Sequence, residues 1–170
     1  MNRRAAVDGI AVRKRPTGSV AQGRHTLPMR DFSHSLPMAL LNTREKVMEE
    51  FRPMLRGFAL TEQQWRVIRI LVEASPIEAT ELAARSRILA PSLTRILQNL
   101  ELRSLISRRA IRADQRRAAI RLTARGRRLF NRVAPHSETH YASITTALGA
   151  GKLNKLFSLL EELVDRLDDS

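Results

Sequence analysis

A chain of 170 residues, 43% of them hydrophobic and few aromatic, is long enough for one helical domain of ordinary size and needs no second. Its 30 Lys and Arg against 17 Asp and Glu leave a formal charge of +13, a balance that favours polyanionic partners. The absence of cysteine excludes disulfides, thiolate metal sites and cysteine redox switches, and no apolar run approaches the ~18 residues of a membrane span.

The charge is unevenly spread. Residues 85–132 hold 14 arginines and only two acids, Glu101 and Asp114, so this stretch alone carries +12. The first 33 residues add seven basic side chains against Asp8 and Asp31, with scattered Gly and Pro and no periodic apolar stripe to bury. They read as a flexible basic arm, residues 1–33, and Met29 offers an alternative start. The arm lacks the apolar centre of a secretion signal, so a soluble, cytoplasmic protein is expected.

In chain order, Ser35-Leu36-Pro37 predicts a helix start, with Pro37 near the first position, where its missing N–H costs nothing. Leu36, Leu40, Val47, Phe51 and Leu55 supply an apolar face, Pro53 predicts a bend, and Gly57 closes the segment. Thr61-Glu62-Gln63-Gln64 fits a capping box, followed by Trp65, Ile68, Leu71 and Val72 at helical spacing. A short helix over Thr80 to Arg87 and a turn over Ile88 to Ala90 lead to Pro91, which opens the next helix. There Leu93, Ile96, Leu97 and Leu100 fall at i, i+3, i+4 and i+7, burying one stripe and turning Ser92, Thr94, Arg95, Gln98 and Asn99 outward.

Those outward side chains suit DNA, since an arginine near a helix start reaches guanine O6 and N7 while Ser and Thr anchor phosphates. An ordinary solvated amphipathic helix would have the same pattern, but the adjoining residues favour the DNA reading. Leu105 to Ile111 and Ala118 to Thr123 favour strand, and Arg112 to Arg117 join them as a loop whose Arg112, Arg116 and Arg117 call for a polyanion. Asp114 in that loop suits capping the turn or orienting an arginine, because a carboxylate facing phosphate is repelled. Helix, turn, helix and basic hairpin together spell a winged helix-turn-helix.

In DQRRAAIRLTARG, Asp114, Arg116, Leu122, Thr123 and Gly126 stand in a characteristic wing pattern. With LTEQQWRVIRIL and ILAPSLTRIL, this makes residues 35–168 resemble the MarR family of transcriptional regulators, and within it the homoprotocatechuate-operon repressor branch. Ser104 departs from the pattern, which often has glycine after the reading helix, so a left-handed backbone there is costlier.

The resemblance implies a mainly α (α+β) fold in which a winged helix-turn-helix, residues 58–123, is flanked by dimerisation helices, residues 34–57 and 124–170. It implies a homodimer, and the stripe Leu153, Leu156, Phe157, Leu160, Leu163, Val164 and Leu167 agrees, since one chain has little left to cover it. Residues 124–147 would form a connecting helix, kinked at Pro135. Two-fold symmetry predicts a pseudo-palindromic double-stranded DNA site with half-sites about 10 base pairs apart. Bound to DNA, the protein would associate with the nucleoid.

The resemblance further implies a repressor released by a small hydroxylated aromatic carboxylate of benzoate, phenylacetate or pyridine type. Candidate ligand residues are Arg44 for the carboxylate, Trp65 for stacking, His34 or Arg66 for a ring hydroxyl, and Met38 and Met48 as apolar walls. Alternatively Arg44 pairs with Glu45 or Glu49 and Trp65 belongs to the core. The competing functional class is an architectural, largely sequence-independent DNA-binding protein. His136 and His140 stand at i and i+4 but lack an HExxH order or a third ligand, so no metal is expected. Nor is a cofactor or an enzymatic activity, since no phosphate loop, nucleophile elbow or carboxylate constellation is present.

Overall fold

The structure, a computed structural model, describes Phe32, residues 35–111 and residues 114–169, with the backbone alone described for 110, 111 and 114–118. Two compact units are distinguished, residues 1–39 and 40–170. The described part of the first is Phe32 and the opening turn of helix α1. The proposed arm and His34 lie outside the described residues.

Among the described residues, six helices and three strands follow in the order α1 (Leu36–Gly57), α2 (Glu62–Ala74), β1 (Ile77–Glu78), α3 (Ala79–Ser86), α4 (Ala90–Leu102), β2 (Ile106–Ile111), β3 (Asp114–Leu122), α5 (Ala124–Leu148) and α6 (Ala150–Asp168). Helix α1 starts where Pro37 predicts and runs through Pro53 to Gly57, the residue expected to close it. One missing N–H does not end a helix whose last turns bury Phe51 and Leu55.

The capping box forms as the sequence predicts: Gln64 N donates to Thr61 Oγ1 at 3.1 Å and Thr61 N donates to Gln64 Oε1 at 3.0 Å. Behind it α2 buries Trp65, Val67, Ile68 and Leu71. Replacing Thr61 with Ala is expected to cost about 1 kcal/mol, which lowers the thermal midpoint of a chain this size by about 2–4 °C in a calorimetric melt. An unchanged midpoint would mean that the box contributes nothing to the fold.

Three helix ends share one geometry. Ala59, Arg87 and Ser104 take left-handed backbone with φ of 52°, 51° and 57°. At each, the following residue donates back to the last turn of the helix: Leu60 N to Leu55 O at 2.9 Å, Ile88 N to Ala83 O at 3.2 Å, and Leu105 N to Leu100 O at 2.9 Å. Leu60, Ile88 and Leu105 are all buried, so burial of the next side chain offsets the cost of a left-handed residue that is not glycine. Ser104 does adopt the conformation that its departure from the family pattern made costly.

Helix α4 buries Leu93, Ile96, Leu97 and Leu100, the stripe read from spacing. The sheet has the order β1-β3-β2, all antiparallel, with Ile106 opposite Leu122 and Ile77 opposite Ile120. Two differences from expectation appear. The two-residue strand β1 is too short for a period to reveal, and β3 begins at Asp114 where the sequence predicts Ala118. A register shift between Ala110 and Ile111 lets the hairpin pair further toward its tip, so Arg116 and Arg117 belong to β3 by backbone while Arg112 lies outside the described residues.

The pattern residues Leu122, Thr123 and Gly126 meet where the wing turns into α5. Thr123 Oγ1 accepts from Gly126 N at 3.0 Å, capping α5, and lies 2.8 Å from Ser104 O and 3.0 Å from Leu105 O, which accept from its hydroxyl. Gly126 packs so closely that a Cβ there would stand 2.1 Å from Leu105 O and 2.7 Å from Leu122 Cδ1. The end of α4, the start of β2 and the start of α5 therefore converge on one residue, Leu105. Beyond this junction α5 runs through Pro135 to Leu148 and buries only Gly126, Val133 and Ser137, while α6 buries nothing among the described residues and leaves Leu156, Phe157, Leu159, Val164 and Leu167 exposed. No helix among the described residues is long and apolar enough to cross a membrane.

Candidate nucleic-acid interface and effector cavity

On the reading helix α4, Ser92, Thr94, Arg95, Gln98 and Asn99 are all exposed. Their readiness differs. Arg95 pairs with no carboxylate among the described residues. Thr94 Oγ1 donates to Ala90 O at 2.9 Å, leaving the hydroxyl oxygen as an acceptor, and Asn99 Oδ1 accepts from Gln64 Nε2 at 2.9 Å, which fixes the amide against α2. The wing is clamped to this helix: Arg108 on β2 donates from Nε to Glu101 Oε2 on α4 at 2.7 Å, and its Nη2 stands 2.5 Å from the same oxygen. One of the two acids in the arginine-rich stretch thus holds the wing's first strand to the helix that it accompanies.

A cavity of about 310 Å³ lies between α1, α2, α3 and α5, walled by Val47, Met48, Phe51, Trp65 and Ile70. Glu62, Arg66, Arg69, Glu73, Arg85 and Tyr141 supply its polar lining. Trp65 serves both readings offered for it: it is only 6% exposed, stacked on Phe130 with ring centroids 5.4 Å apart, and it lines the cavity. Phe51 packs against Tyr141 at 5.0 Å and His140 at 5.2 Å, and Phe58 packs against His136 at 5.4 Å, so His136 and His140 each rest on an aromatic ring. No group of three or more potential metal-ligating side chains occurs among the described residues.

The three cavity arginines are differently committed. Arg66 Nη1 donates to Ser86 O at 2.9 Å, and Arg85 stands 3.8 Å from both Glu73 and Glu81. Arg69 has no carboxylate partner among the described residues; its Nη1 donates to Tyr141 Oη at 3.0 Å, and its guanidinium lies 6.0 Å from that ring's centre.

Of the proposed ligand residues, Met48, Trp65 and Arg66 line the cavity and Arg44 does not. Arg44 Nη2 donates to Glu62 Oε1 at 2.5 Å and its other terminal nitrogen pairs with Glu45, the neighbour anticipated as its alternative partner. The hydrogen bond to Glu62 is the main reason that the Arg44 guanidinium titrates above its ordinary value. Arg44 is thus held by Glu62 and Glu45, four residues before Met48, which does line the cavity. Arg52 joins the same cluster, donating to Glu45 Oε2 at 2.5 Å and standing 3.4 Å from Glu62 Oε2. That last oxygen is buried and without a hydrogen-bond donor among the described residues. Met38 lies in the opening turn of α1, in the other compact unit.

Sequence reasoning missed Arg69, Tyr141 and Glu62. Arg69 follows Trp65 by four residues and so shares its helix face, a usable local signal. Tyr141 is 72 residues from Arg69, and no local period connects them.

A helix with an exposed polar stripe, clamped through Glu101 and Arg108 to an antiparallel hairpin, is a winged helix-turn-helix arrangement. The model of the MarR family matches residues 60–118. The homoprotocatechuate degradative operon repressor of Escherichia coli is 43% identical over 130 residues, covering 76% of this chain and 88% of the relative. The chain belongs to the MarR family. Among solved structures, NadR in complex with 4-hydroxyphenylacetate is 38% identical with a TM-score of 0.69, covering 81% of this chain and 97% of that one. The transcriptional repressor CouR bound to a 23-mer DNA duplex is 29% identical with a TM-score of 0.73, covering 81% and 98%.

Proposed function

We propose that this protein is a homodimeric transcriptional repressor that reads DNA with α4 and the wing and leaves it when the cavity takes up a hydroxylated aromatic carboxylate. Residues 58–123 are the reading head, and residues 34–57 and 124–170 supply the dimerisation helices. The observation that carries the ligand reading is Arg69, a cation lining a largely apolar cavity and held by a phenol, with no carboxylate partner among the described residues. A ligand carboxylate completes that arrangement, its ring lies against Trp65 between Met48 and Ile70, and Glu62 Oε2, 3.4 Å from Arg52 but accepting no hydrogen bond among the described residues, offers an acceptor for a ring hydroxyl. The site thus moves from Arg44 to Arg69. Neither a cofactor nor a reaction enters this reading.

Because the cavity joins α1 and α2 to α5, occupancy favours one setting of the reading head against its stem helix. A setting that mismatches the half-site spacing lowers DNA affinity. The test is a titration of the protein on a selected duplex and on its scrambled counterpart, at several salt concentrations and with 4-hydroxyphenylacetate. Preference for the selected duplex and its loss on adding the acid are expected. Equal binding to both duplexes would establish the architectural reading instead.

For DNA contact, Ser92, Thr94, Arg95, Gln98 and Asn99 face the major groove, and Arg112, Arg116 and Arg117 of the wing follow the backbone. Arg95→Ala is expected to cost about 1–3 kcal/mol per half-site and to relax base choice at one position in each, whereas Arg116→Ala weakens all sequences alike and flattens the salt dependence by about two ions, one for each wing of the dimer. Matching salt slopes and matching base preferences for the two variants would remove this distinction between them.

A further inference from the structure

The reading helix begins on an exposed apolar residue. Helices α2 and α5 open on Thr61 and Thr123, each accepting a hydrogen bond from the backbone of its first turn, whereas α4 opens on Leu89, which, like Glu78 before α3 and Gly149 before α6, provides no side-chain cap. Leu89 is also 80% exposed. In the isolated protein this position forgoes a cap and places an isobutyl group in water, two costs with no return inside the fold. Its backbone is nonetheless fixed, since Leu89 O accepts from Leu93 N at 2.9 Å.

Leu89 heads the stripe that continues through Ser92, Arg95 and Asn99. In helix-turn-helix proteins the first residues of the reading helix approach base edges most closely. The apolar group that the major groove presents there is the C5 methyl of thymine. We propose that Leu89 is a specificity-determining residue that packs on a thymine methyl, one in each half-site. The inference rests on the reading of α4 as the DNA-reading helix. Leu102, 87% exposed, stands at the opposite end of α4 beside Glu101 and Arg108, at the base of the wing, and is not placed to do the same.

The experiment selects a preferred duplex from a random pool with the full-length protein, then replaces its thymines with uracil one symmetric pair at a time, deleting only the methyl. At one pair the wild-type protein should lose about fourfold in affinity per half-site and about fifteenfold for both, equivalent to ~0.8 kcal/mol per buried methyl. Leu89→Ala should bind the thymine and uracil duplexes equally, with an affinity near that of the wild type on uracil. Leu89→Met should restore the discrimination. Since Leu and Ala cap equally poorly and the side chain is exposed, the variant should melt like the wild type.

Leu89→Ala keeping the wild-type preference for thymine, or a wild type indifferent to uracil at every position, would overturn the assignment while leaving the DNA reading intact. Failure to enrich any sequence would overturn both.

Discussion

Arg69→Ala is expected to leave DNA binding within about twofold of the wild type and to weaken 4-hydroxyphenylacetate by about thirtyfold, the loss of one charge-assisted hydrogen-bonding partner worth about 2 kcal/mol. The two readouts separate because Arg69 lies on α2 facing the cavity, whereas the exposed stripe of α4 and the wing contain none of its partners. Arg69→Lys keeps the charge without the planar fork and should fall between the two. Trp65, the only tryptophan, lines the cavity and offers a fluorescence readout that needs no DNA. Arg44→Ala is the informative contrast. If that variant loses the acid while Arg69→Ala retains it, the carboxylate belongs at Arg44 after all, and the Arg44–Glu62 pair must open to admit it.

Gly126→Ala is expected to produce the largest loss of stability, about 3 kcal/mol, seen as a fall of about 6–12 °C in the thermal midpoint. The added methyl meets a backbone carbonyl, Leu105 O, and no flexible side chain can move to relieve the contact. Either α5 backs away from the sheet or the end of α4 shifts, and both loosen the hydrogen bonds that Thr123 makes to Ser104 and Leu105. DNA affinity should fall too, since this junction sets the wing against the reading helix. Gly151→Ala is the control, having nothing within 4 Å of the added methyl and lying in the first turn of α6, where alanine is the better helix former by up to about 1 kcal/mol. A Gly126→Ala protein that melts with the wild type would show that the junction yields freely.

Much of the fold is written in local periods. The Thr61–Gln64 box, the Leu93–Leu100 stripe and the long α5 and α6 are legible because each depends on residues within a turn or two of one another. Strand β1 is not, since two residues carry no period and Ile77 is placed by pairing with Ile120. The left-handed stops at Ala59, Arg87 and Ser104 are equally silent, because the residue that compensates each one is buried by the rest of the domain. The candidate cavity is half legible. Trp65, Arg66 and Met48 can be named from sequence, but Arg44 looks like the carboxylate's partner only so long as its acid, Glu62 on the next helix, cannot be seen beside it.

Helix α6 has a quantitative corollary. None of its 19 residues is fully buried in its own chain, although it packs against α5, so its apolar stripe is left for a second copy to cover. Below the dimer dissociation constant, occupancy of a two-fold operator rises with the square of the protomer concentration. The number of copies in the cell then becomes an input to the switch alongside the aromatic acid, and a modest change in expression moves its threshold more steeply than a monomeric repressor would allow.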